Sequence, residues 1–416
     1  MKIKFFFLLA FCVLAAVASC EKEYVFDGER IVLTRAESDF LETGQSFPFN
    51  LFREVAKENE YANVVFSPLS VQFANSMLSN GASGETYRQI INTLGYDDCS
   101  ANDLNSVYRK IVGGLDGVDA SAKVSIANSV WINDGFTIQD DFKKAVVNCY
   151  DSKVANLDFT SSKAVKSIND WGAKKTNGQI TGFMRSIPPY SQIIIANALY
   201  FKGKWKDKFS RSNTGRGSFK ALDGSLVAKD FMNASFKMLY SESEDGTVRM
   251  CEIPYGNGAF VLDVVLPDEN MDFAAFVSDL SEDRWDNMFS YTATHEVRIT
   301  LPKFKIESEY DLKRPLQALG MTLPYDRDNV DLKGIAYPTL TGVSSPSIVL
   351  SESRQKAVIE VDEDGTTAAT VTHHKGDWNL LPAPGEIIVF NADHPFVFLI
   401  REKSSDTILF MGTLTE

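Results

Sequence analysis

The stretch from Val358 to Leu381, VIEVDEDGTTAATVTHHKGDWNLL, places the tightest constraint on what this chain can fold into. Its first half reads as strand: Val358, Ile359 and Val361, followed by Thr and Ala, suit a pleated, part-buried surface. Gly365 supplies a hinge, because a residue without Cβ reaches backbone angles closed to others. Beyond it, alternation puts Thr366, Ala368, Thr370 and Thr372 on one face, all small enough for a crowded interior. No proline interrupts the stretch, so every backbone N–H is available to a ladder. Yet His373, His374, Lys375, Gly376 and Asp377 are polar and read as an exposed loop. One segment is thus written as loop and as potential central strand. Either it is an ordinary hairpin continued by a surface loop, or it changes state.

The chain opens with a targeting segment over residues 1–19: Lys2 and Lys4, an apolar run from Phe5 to Val17, then small residues. The run is too short and wrongly flanked for a membrane span. It ends Val17-Ala18-Ser19-Cys20, which resembles a bacterial lipobox and implies cleavage before Cys20 with lipidation of its thiol. Several acyl chains on Cys20 anchor a protein stably where one does not. The alternative is a signal peptide cut after Ser19 with Cys20 unmodified. Glu21-Lys22-Glu23 resembles the acidic export tag of surface lipoproteins in Bacteroides-like bacteria, so the expected location is secreted and anchored to the outer membrane. Loss of Lys2 and Lys4 with the leader takes the formal charge from −13 to −15, which disfavours nucleic acid as a partner. Residues 20–45 are charged and mixed and suit a tether that carries one strand and the start of a helix. Cys99, Cys149 and Cys251 are widely spaced and odd in number, so buried free thiols are expected rather than disulfides.

From Ser46 to Glu416 no linker, repeat or low-complexity run divides the chain. Ser67-Pro68-Leu69-Ser70 starts a helix with a serine cap and a first-turn proline. IIIANALYFKGKW, from Ile193 to Trp205, suits a strand buried on both faces, and Asn197 within it must find partners. Turns are expected at Asn133–Gly135 and Asn177–Gly178, and YDLKRPLQALGM reads as helix.

These segments in this order, with LSESRQKAVIEVDEDGTTAAT and FNADHPFVFLIREKSSDTILFMGTL near the C-terminus, resemble the serpin family. The resemblance implies one α+β domain over 46–416 with a large central β-sheet, further sheets and about eight or nine helices. A reactive loop is expected over about 363–384. It further implies a hinge of Glu363, Gly365, Thr366, Thr367, Ala368, Ala369 and Thr370, with Thr367 where the family usually has glutamate. Ser67, Ser70 and Asn197 match the family's shutter residues, Trp205 its breach tryptophan, and Lys303 the lysine facing the hinge glutamate Glu363. A shutter contact between Asn197 and Ser67 or Ser70 is expected on this ground. Gln355 stands where the family usually has a histidine; it donates and accepts but gains no charge.

An enzyme is hard to build from this chain. His295, His373, His374 and His394 are its only histidines and none has metal-ligand spacing, and neither a GxSxG elbow nor a P-loop is present. No catalytic residue, metal or cofactor is expected. The resemblance implies a monomeric inhibitor of serine-type proteases that acts as a suicide substrate, with a non-inhibitory binding or chaperone module as the alternative. In inhibitory members of the family the hinge glycine lies about fourteen residues before the acyl donor, so the resemblance implies a reactive bond at Asn379–Leu380. A slip of one makes Trp378 or Leu380 the acyl donor, and Lys375 is a remoter option. Chymotrypsin-, elastase- and subtilisin-like proteases are the expected targets. An asparagine donor also suits an asparagine-specific cysteine protease.

Overall fold

The computed structural model describes residues 28–188, 190–289, 292–339, 348–366 and 387–416. Its helices are α1 (Arg35–Thr43), α2 (Ser46–Glu58), α3 (Pro68–Ser79), α4 (Gly84–Thr93), α5 (Ala101–Leu115), α6 (Asp140–Tyr150), α7 (Ser162–Lys175), α8 (Phe273–Ser278), α9 (Glu282–Phe289) and α10 (Lys313–Ala318). Its strands are β1 (Val64–Phe66), β2 (Ala122–Asn133), β3 (Phe136–Ile138), β4 (Lys153–Leu157), β5 (Ile193–Lys204), β6 (Gly215–Lys220), β7 (Leu226–Glu242), β8 (Val248–Pro254), β9 (Phe260–Pro267), β10 (Ala293–Pro302), β11 (Phe304–Asp311), β12 (Ala336–Pro338), β13 (Leu350–Asp362), β14 (Gly365–Thr366), β15 (Ile388–Asn391), β16 (Phe396–Glu402) and β17 (Thr407–Leu414).

The strands form a six-stranded sheet in the order β11-β13-β14-β5-β2-β4, a nine-stranded sheet and a small β3–β12 pair. β5 is central because its sequence leaves it no exposed face. Ile193, Ile195, Leu199 and Phe201 point into the main core, and Ile194, Ala196 and Ala198 pack under α7 with Ile168 and Phe183. β2 flanks β5 antiparallel along its whole length. On the other side β13 runs parallel to β5, but only from Leu350 opposite Ile193 to Ala357 opposite Leu199. Beyond that level β14 fills the space between them, pairing Thr366 with Val361 of β13 and with Gly203 of β5. The central pair is therefore closed below and held apart above.

The expected turns are present: β2 and β3 join through Asn133–Gly135, and α7 stops before Asn177 and Gly178, both at positive φ. Ser67 caps α3, its Oγ accepting from the Ser70 amide at 3.2 Å, with Pro68 at the first helical position. Two boundaries differ from expectation. Tyr310 and Asp311 finish β11, so α10 spans only Lys313–Ala318; Tyr310 and Asp311 pair with Gln355 and Arg354 before the chain turns. The folded body also reaches back into the segment read as tether. Ile31 is buried against Gly114 of α5 and its amide donates to Ser404 Oγ at 2.8 Å. Burial of one isoleucine is worth about 1.5–3 kcal/mol, enough to pin a short charged segment. α1 follows behind a Thr34–Glu37 capping box, and Phe40 stacks on Tyr96 at 4.4 Å. Charged residues dominate this stretch and hide the two anchors in a reading by composition.

Candidate functional site

The space between β13 and β5 begins at a tight turn, Asp362-Glu363-Asp364-Gly365, which reverses the chain from β13 into β14. Gly365 sits at φ +142°, and a Cβ there would lie 2.0 Å from the Gly203 carbonyl oxygen. Only glycine brings the two backbones this close. Thr366 follows, 1% exposed, its Oγ1 2.6 Å from the Tyr255 hydroxyl. Tyr255 is itself fully buried, and burial pushes its phenol far above the ordinary range. The ring of Trp205 stacks on that of Tyr255 at 4.4 Å, and its Nε1 donates to the Asp362 carbonyl at 2.8 Å. An indole at the end of β5 thus ties the turn to the sheet.

Charged side chains complete the hold. Glu363 accepts from Thr214 Oγ1 at 2.8 Å and pairs with Lys303 Nζ at 2.8 Å. Burial pushes its carboxyl up, but the hydrogen bonds from Lys303, its own backbone and Thr214 outweigh that and hold it below the usual range. Asp364 is held low in the same way, burial being overcome by Lys208 and Arg211. Asp362 is raised by burial, which outweighs the Asp364 backbone hydrogen bond and the more remote charge of Lys303.

Lower down, where β5 and β13 still pair, the sheet carries three carboxamides in one row. Gln355 of β13 lies opposite Asn197 of β5, which lies opposite Asn128 of β2. Gln355 donates from Nε2 to the Ser67 carbonyl at 2.8 Å and accepts from the Ser67 amide at 3.0 Å, locking β13 to the start of α3. Asn197 Nδ2 donates to Asn128 Oδ1, and Asn128 Nδ2 donates to the Tyr150 carbonyl at 2.9 Å. The expected contact of Asn197 with Ser67 or Ser70 is therefore replaced. Ser67 Oγ serves the helix cap instead, while Asn197 Oδ1 and Ser70 Oγ are buried without a hydrogen-bond partner among the described residues. Strand register decides this, since it sets Asn128 directly across from Asn197.

Sequence reasoning missed Asn128, Thr214, Tyr255, Lys208 and Arg211. Alternation along SIANSVW was the available signal for Asn128, because it puts that residue on the face of Val130 and Ile132. Nothing local marks the others: Lys208, Arg211 and Thr214 reach the turn from the segment between β5 and β6, and Tyr255 from the end of β8. His394 is a structural residue: it is buried, with Nδ1 2.9 Å from Asp393 and Nε2 2.8 Å from the Pro267 carbonyl. Cys251 is buried as expected, whereas Cys99 and Cys149 are only partly so. Thr367, Ala368, Ala369, Thr370, the bond Asn379–Leu380 and Cys20 lie outside the described residues.

These features define a class: an α+β fold whose large sheet parts its two central strands around the first residues of the following segment. Comparison with known proteins agrees. The family model Serpin (serine protease inhibitor) matches residues 42–416, and the chain belongs to the serpin family. Human neuroserpin is 30% identical over 388 residues, covering 89% of this chain and 92% of that protein. Iripin-1 of Ixodes ricinus is 31% identical over 357 residues, covering 84% and 88% respectively. Among solved structures, native tengpin, a thermophilic serpin, superposes with a TM-score of 0.84 at 27% identity over 92% of this chain and 95% of that one. Thyroxine-binding globulin in complex with thyroxine superposes with a TM-score of 0.80 at 25% identity, covering 91% and 99%.

Proposed function

We propose that this protein inhibits serine-type proteases as a suicide substrate. The observation that carries the reading is Thr366, seated between β5 and β13 with small residues following it in the sequence. The protease attacks the loop at Asn379–Leu380 or a bond one residue away, and its nucleophile is acylated by the loop carbonyl. Cleavage frees the hinge half, which adds strand by strand-pair to β5 and β13, as serpin loops do. About fifteen extended residues span roughly 50 Å, enough to carry the tethered enzyme across the domain. Distortion of its catalytic groups then strands the acyl-enzyme, because small misplacements cost rate severely. Mixing the protein with chymotrypsin, elastase, trypsin and subtilisin tests this: a covalent complex on a denaturing gel supports it, and the released peptide identifies the bond. An asparagine-specific cysteine protease in the same panel tests the cysteine-protease option.

The second reading, a binding module that inhibits nothing, is favoured by the likeness to thyroxine-binding globulin, which binds thyroxine. It takes over when no protease in the panel is trapped. The lipobox supports a location on the outer membrane through Cys20, beyond a cleaved segment over 1–19. Cys20→Ala then moves the protein from the membrane to the soluble fraction. Equal partition of both forms removes the anchor.

A further inference from the structure

Asp364 is held from a single segment. Between Trp205 and Thr214 the chain wraps the hinge turn. The Trp205 amide donates to the Asp364 carbonyl at 3.2 Å, Lys208 Nζ lies 3.2 Å from Asp364 Oδ1, and Arg211 donates to Oδ2 at 2.6 Å. Thr214 continues the wrap onto Glu363. Phe209, buried and packed edge-on against Trp205 at 6.0 Å and Phe236 at 5.2 Å, anchors the segment between the two cations. Both carboxylate oxygens of Asp364 are therefore engaged by side chains whose backbone is already fixed, so little additional ordering is needed to form the pairs.

We propose that Lys208 and Arg211 are positioning residues for strand insertion: with Asp364 they form a salt-sensitive clasp that keeps Gly365–Thr366 seated between β5 and β13 before the loop is cut. Their effect on protease trapping rests on the inhibitory reading above; the seating itself does not. Lys208 is 45% exposed, Arg211 57% and Asp364 28%, so the clasp is open to solvent and is screened by salt. A seated Thr366 lets the freed loop extend an existing strand pair rather than nucleate a new one. Release of the clasp raises the population with an empty gap and delays insertion, giving the acyl-enzyme time to hydrolyse.

Hydrogen exchange of the peptide 361–366 in the intact protein reads the seating without any protease. Wild type, Asp364→Asn, the double variant Lys208→Gln/Arg211→Gln and the conservative Lys208→Arg are compared at about 20 mM and about 1 M NaCl. At low salt the two disrupting variants are expected to exchange about threefold to tenfold faster than wild type, the range that two exposed ion pairs allow. At high salt wild type approaches them, their own response to salt is smaller because only the Lys303–Glu363 pair remains on the turn, and Lys208→Arg follows wild type. Exchange in β9 serves as the control for folding, and should one disrupting variant fail it, the salt response of wild type against the other decides. Exchange at 361–366 that ignores both salt and substitution overturns the clasp. The ratio of trapped to cleaved protein should fall in the same order. Absence of trapping by wild type overturns the inhibitory reading and leaves the exchange result standing.

Discussion

The gap between β5 and β13 is held in two unlike ways. At its upper end the hinge turn is gripped by charge, with part-exposed Lys303 on the buried Glu363 and part-exposed Lys208 and Arg211 on Asp364. In its middle the sheet is held by neutral amides, Gln355 on the Ser67 backbone and Asn197 on Asn128, all buried. Charge at a wet edge responds to salt and pH; buried neutral amides respond to neither but are costly to leave unpaired. The upper end is thus built to respond to conditions and the middle to resist them.

Substitution of the buried residue at the junction of the two regions has the largest expected effect. Thr366→Arg places a cation where Thr366 now packs beside Tyr255, and an unpaired buried ion costs several kcal/mol after relaxation. The loop is still cut, but insertion stalls and the acyl-enzyme hydrolyses. With a protease that wild type inhibits, the product should shift from covalent complex to cleaved, released protein. Trapping as efficient as wild type would remove Thr366 from the path of insertion.

Asn197→Ala comes next. It strands Asn128 Oδ1 in the core, a loss of about 1–3 kcal/mol. Spontaneous inactivation or polymerisation on mild warming should quicken, by an amount that does not depend on salt. An unchanged rate would mean that the amide row does not hold the sheet.

A smaller effect separates the regions by pH. Glu363 and Asp364 are both held below their ordinary values of 4.5 and 3.8, so their contribution is complete above those values. It is lost as pH falls through the depressed values, when protonation uncouples Glu363 from Lys303 and Asp364 from Lys208 and Arg211. Nearby Asp362, raised by burial, works in the opposite sense. The protection of the turn, corrected for the intrinsic pH dependence of amide exchange, should therefore fall only below about pH 4.5, with Gln355 adding no response between pH 5 and 8. Gln355→His should create one, because an imidazole gains charge there while facing the Ser67 amide; a flat profile in that variant would show the site to be indifferent to charge.

Much of this was legible beforehand. Thr366 behind the Gly365 hinge, the apolar run around Asn197 and the Ser-Pro cap at Ser67 are local patterns, and local patterns survive in sequence. Lys303 opposite Glu363 came from family resemblance, and the two side chains do meet. The partner of Asn197 was not legible because it depends on register between strands nearly seventy residues apart. No local pattern marks Lys208 and Arg211, and only the reversal at Asp362–Gly365 brings Asp364 to them. Ile31 was hidden by its charged neighbours.

The central claim of the proposed function is that the loop, once cut, enters the sheet behind Thr366. Cutting the reactive loop with any protease and comparing the unfolding temperatures of intact and cleaved protein tests it most directly. Insertion between β5 and β13 adds a central strand with new ladder pairs and buried threonines and alanines, so the cleaved protein should stay folded well above the temperature at which the intact one unfolds. Cleaved Thr366→Arg should not share the gain. Equal unfolding temperatures for intact and cleaved wild type would contradict the account, because a loop that gains nothing from the sheet when freed has no reason to enter it.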